Sequence, residues 1–100
     1  MSTPQPADDF SKGMQTIERA IIEGVRKAGR HVTTADLTWY RGRAVMPRPE
    51  MIDLQLRVGN RAAVGIFSRE EIEDAADRVD HPETLRTILR IIAEASQLPP

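Results

Sequence analysis

The sequence predicts an α+β fold in which helices cover one face of a short antiparallel sheet. Three observations carry this. Apolar residues repeat at helical spacing near the start and the end of the chain. Between them, two alternating runs meet at Gly59-Asn60, a hairpin connection that tolerates positive φ. Finally, 100 residues with 40% hydrophobic and 29% charged residues suit one compact domain, not two and not a disordered chain.

The first helix is read from Phe10, Met14, Ile17, Ile21, Val25 and Ala28, which share one face. Lys12, Gln15, Arg19, Glu23, Arg26 and Arg30 form the other face, and Gly29 supplies a left-handed stop. Gly13 and Gly24 each weaken an isolated helix by up to about 1 kcal/mol, so this one needs tertiary packing. Residues 1–9, MSTPQPADD, read as a disordered tail, residues 10–98 as the domain, and Pro99-Pro100 as a stop. The tail lacks the basic start and apolar run of a secretory signal, and no apolar run is long enough for a bilayer. A cytoplasmic protein without a membrane partner is expected.

Residues 31–49 are expected to hold a short strand beginning at His31-Val32-Thr33-Thr34 or a brief turn capped by Thr34 through Asp36, then a strand over Leu37-Thr38-Trp39-Tyr40. Arg41-Gly42 reads as a turn and Arg43 to Met46 as a return strand, with Pro47 and Pro49 confining the segment to an edge or loop. Next, Ile52, Leu54, Leu56 and Val58 alternate with Met51, Asp53, Gln55 and Arg57. The strand from Arg61 to Phe67 returns, with Ala62, Val64 and Ile66 on one face and Gly65 weakening it or admitting a close neighbour.

Ser68-Arg69-Glu70-Glu71 is a capping box and opens a helix whose Ile72, Ala75, Ala76 and Val79 face the core. Asp80-His81-Pro82-Glu83 repeats the pattern with an acidic cap and a first-turn proline. Leu85, Ile88, Leu89, Ile92 and Ala95 then form the last apolar face, with Ile91 and Leu98 adding to it.

Chemistry-bearing motifs are few. The absence of cysteine excludes disulfides, thiol nucleophiles and thiolate zinc sites. His31 and His81 stand far apart with no helical partner, no Gly-Lys-Ser or Gly-Lys-Thr occurs, and Ser68 is already explained as a cap. The expectation is a protein that is not an enzyme and needs neither cofactor nor metal.

Charge is the informative property. The net value of −1 divides into eight basic and three acidic residues over 26–61, and four basic and eight acidic over 62–100. Clustered charge of this kind steers encounter with a charged partner. Two constellations are candidates for that contact. Glu70, Glu73, Asp74 and Asp77 fall at helical spacing and form an acidic stripe. They serve either to complement the helix dipole or to meet a basic protein groove. Trp39, Tyr40, Arg41, Arg43 and Arg48 combine the only Trp and Tyr with arginines. Such a set suits a core tryptophan beside solvated arginines, a protein hot spot, or single-stranded nucleic acid.

The junction Ile66-Phe67-Ser68-Arg69-Glu70-Glu71-Ile72-Glu73-Asp74 resembles those of many small bacterial domains in which a strand runs into a capped acidic helix. In overall style, a short cysteine-free α+β domain with dense surface charge, the chain is similar to phage-encoded inhibitors of the anti-CRISPR type. That resemblance implies a protein that occupies the surface of a protein or nucleoprotein complex. A nucleic-acid-binding module and an accessory domain that homodimerises through its last helix are the alternatives.

Overall fold

The computed structural model describes residues 9–41 and 51–97. Its elements are α1 (Asp9–Lys27), a 3₁₀ turn (Thr34–Asp36), β1 (Leu37–Arg41), β2 (Met51–Val58), β3 (Arg61–Ser68), α2 (Arg69–Asp74) and α3 (Pro82–Gln97). The strands form an antiparallel sheet in the order β1-β2-β3. α3 packs on β3 and on α1, and α2 packs on α1. The fold is therefore α+β, with helices on one face of a three-stranded sheet. The expected return strand from Arg43 to Met46 and the tail up to Asp8 lie outside the described residues, as does Leu98. Asp9, placed in the tail by the sequence, already opens α1. Among the described residues no helix is long and apolar enough to cross a membrane.

α1 buries Ile17, Ile21 and Val25, the middle of the expected face, and also Gly13, which was not part of it. It stops at Lys27, because the Ala28 N–H is shared between the Gly24 and Val25 carbonyls and Gly29 follows at φ 93°. Ala28 is consequently exposed and leaves the apolar face. The turn before β1 is capped by Thr33, not Thr34: the Thr33 hydroxyl accepts the Ala35 N–H, and its own N–H donates to the Asp36 carboxylate at 2.9 Å. Gly59, at φ 61°, turns β2 into β3.

Leu37, Leu54, Leu56, Ala63 and Phe67 point to the helices and are buried with Ile17, Ile21, Ile72, Ile88 and Ile91. Gly65 admits the close neighbour that its lack of a side chain allows. A Cβ there would lie 2.5 Å from Ile91 Cδ1 and 2.8 Å from Thr87 Cγ2.

α3 is rotated from the expected face. It buries Thr84, Ile88, Ile91 and Ala95, whereas Leu85 and Leu89 are 47% and 55% exposed. The close approach to Gly65 draws the Thr87–Ile91 side onto the sheet, which swings the leucines outward. The Leu85 N–H bonds to the His81 carbonyl, so His81, not Asp80, occupies the capping position.

Candidate docking surface

The strands present one face covered by the helices and one that no described element covers, called the uncovered face below; the twofold alternation of side chains sets which residues lie on each. On the uncovered face Tyr40, Asp53 and Ile66 lie in one row across the three strands, and Thr38, Gln55 and Val64 in the next. Arg57 and Ala62 continue it toward the hairpin. Tyr40, Val64 and Ile66 are 39%, 45% and 50% exposed. Depressions of about 210 Å³ mark this surface, one of them lined by Tyr40, Asp53, Gln55 and Val64. Its neighbour, lined by Asp36, Thr38 and Arg57 among others, extends toward the 3₁₀ turn.

The aromatic constellation is divided by this alternation. Trp39 faces the helices, where its ring lies 5.8 Å from Phe67 and its indole N–H donates to Glu18 Oε1 at 2.7 Å. Tyr40, one residue on, faces outward. Two adjacent strand residues cannot share a stacking platform, so only Tyr40 is on the uncovered face. Arg41 closes β1 opposite Ile52. Arg43 and Arg48 lie outside the described residues.

The acidic stripe is shorter than its spacing suggests. α2 ends at Asp74, and Ala75 N–H is shared between the Glu71 and Ile72 carbonyls as the helix tightens into a turn. Thr16 Oγ1 shares its one proton between the Lys12 carbonyl at 2.9 Å and the Ala76 carbonyl at 3.2 Å, and so links that turn to α1. Asp77 therefore sits past the helix and not on its face. Glu73 accepts from Arg69 Nε at 2.9 Å, an exposed pair worth less than about 1 kcal/mol. The Arg69 guanidinium also covers the Phe10 ring, 5.0 Å from its centroid. Glu70 and Asp74 remain exposed. With Met51, Ser68, Glu71 and His81 they line a groove of about 320 Å³ at the end of the sheet. No group of three or more His, Asp or Glu among the described residues is placed to hold a metal ion.

The sequence places Asp53 and Gln55 on a polar strand face, but none of Asp53, Gln55, Val64 and Ile66 is among the candidate contact residues. The available signal was the alternation of β3, whose two sets are both apolar. The bulk of Phe67 decides which set goes inside. No family model, curated protein or solved structure matches this chain.

Proposed function

We propose that this chain is a non-enzymatic binding protein that docks through the uncovered face of its sheet and occludes a charged surface of a larger protein or nucleoprotein complex. The observation that carries the reading is the partial exposure of Tyr40, Val64 and Ile66 together on a face that no described helix covers. An aromatic and two β-branched side chains among Thr38, Asp53, Gln55 and Arg57 make the apolar centre and polar surround of a protein contact. The chain leaves Tyr40 into Arg41, Arg43 and Arg48, which favours a partner carrying carboxylates or phosphates. Free single-stranded nucleic acid fits less well. Asp53 stands at the centre of the face, where it repels a phosphate backbone, and Trp39 is turned away from it.

The similarity in build to phage inhibitors makes a bacterial defence complex the first partner to try. The test is salt-dependent capture from a bacterial extract by the immobilised chain, compared with Tyr40→Lys and Leu89→Lys variants. The reading predicts a defined partner retained at low salt, lost with Tyr40→Lys and kept with Leu89→Lys. Retention that is indifferent to Tyr40→Lys, or no retained protein at all, contradicts it.

A further inference from the structure

β3 is an outer strand of the sheet, and no described residue pairs with its far side. The two-residue turn fixes which of its backbone groups face that side. In such a hairpin the flanking pair, here Val58 and Arg61, exchanges hydrogen bonds, and bonded and non-bonded pairs alternate from there. Arg61, Ala63, Gly65 and Phe67 thus bond inward to β2, while Ala62, Val64 and Ile66 turn their N–H and C=O outward. Ser68 belongs to the outward set as well, and its N–H is the one that the Glu71 carboxylate takes at 2.7 Å.

Among the described residues nothing blunts the remainder of this edge. Strand edges are ordinarily protected by lysine, proline, inward charges or a bulge. From Ala62 to Phe67 there is no charge and no proline, and the register with β2 runs one to one over the whole strand. The sign of the charge, moreover, changes along it. Exposed Arg57 and Arg61 stand at the hairpin end; at the other, Arg69 is paired with Glu73, and exposed Glu70 and Asp74 leave that end acidic. An antiparallel copy lays the basic end of each strand beside the acidic end of the other, twice. A parallel copy brings like charges together.

We infer that β3 pairs antiparallel with β3 of a second copy of this chain, with Val64 at the twofold axis and Ala62 opposite Ile66 across it. This register engages every outward-facing backbone group between Ala62 and Ile66. The two sheets become one of six strands, and their uncovered faces become continuous. The basic protein surface that suits the acidic end of the chain is then the chain's own hairpin. Pairing at this edge does not depend on what the sheet face binds.

Sedimentation equilibrium across a wide concentration range tests it. The expected result is a monomer of 11.2 kDa in equilibrium with a species of twice that mass. Val64→Pro removes an outward N–H and leaves the bonds to β2, so it abolishes the dimer. Arg61→Glu and Glu70→Arg each weaken self-association roughly tenfold, because each dimer contains the contact twice. Mixing these two single variants restores a dimer, since every cross-contact is again between opposite charges. Leu89→Lys, on the outer side of α3, leaves the dimer intact. A chain that stays monomeric at every concentration overturns the pairing and leaves the edge to an extended segment of another protein. A dimer broken by Leu89→Lys, or one not restored by mixing, overturns it too.

Discussion

Replacing Gly13 by alanine sets helix propensity against packing, and the two predict opposite signs. In an exposed helix the change stabilises by about 1 kcal/mol. Here a Cβ at Gly13 would overlap the Ile72 carbonyl oxygen and come within 3.0 Å of Ile72 Cγ2. The obstacle is backbone, and it has little freedom to retreat. α2 is held by the Ser68–Glu71 capping box at its start and by Ile72, fully buried in the core, in its middle. Overpacking against such a wall costs about 3 kcal/mol, at the upper end of its usual range. The net is a loss of about 2 kcal/mol, or roughly 8–16 °C in Tm for a chain of this size. Gly24→Ala is the control: the atom it meets is the terminal Cδ1 of Ile92, which can rotate away. Its stability should stay within about 1 kcal/mol of the parent. Urea unfolding of the three proteins, compared at equal m, measures both differences. A Gly13→Ala variant as stable as the parent would refute the close seating of α2 on α1.

Two further substitutions probe single groups. Ser68→Ala removes the hydroxyl that accepts the Glu71 N–H at 3.1 Å, and unfolding should register a loss of about 1 kcal/mol. Thr84→Val deletes a buried hydroxyl that has no hydrogen-bond partner among the described residues. The same assay should show a gain of about 1 kcal/mol, because an unsatisfied polar group is replaced by one of similar shape.

Legibility in the sequence followed how local each determinant is. α1, the β2–β3 hairpin and the Ser68 cap depend on spacing within a few residues, and each stands where those residues put it. Two orientations depended instead on contacts distant in sequence. In β3 both alternating sets are apolar, and Phe67 wins the interior by packing against Trp39. In α3, Leu85 and Leu89 have the composition of a core face, yet the gap at Gly65 draws Thr87 and Ile91 inward. The acidic stripe failed for a related reason: helical spacing alone does not reveal that α2 ends at Asp74. The Trp39–Tyr40 pair was legible as an aromatic feature. Its division between two faces follows only once β1 is known to be a strand with a covered side.

Hydroxyl-radical footprinting of the chain, free and bound to the complex it is captured with, tests the central proposal most directly. Tyr40, Val64 and Ile66 share the uncovered sheet face, whereas Leu85 and Leu89 lie exposed on α3. Docking through the sheet predicts that labelling of Tyr40 and Ile66 falls on binding while that of Leu85 and Leu89 is unchanged. Protection of the α3 leucines with Tyr40 still fully labelled would contradict it and place the contact on the helical layer.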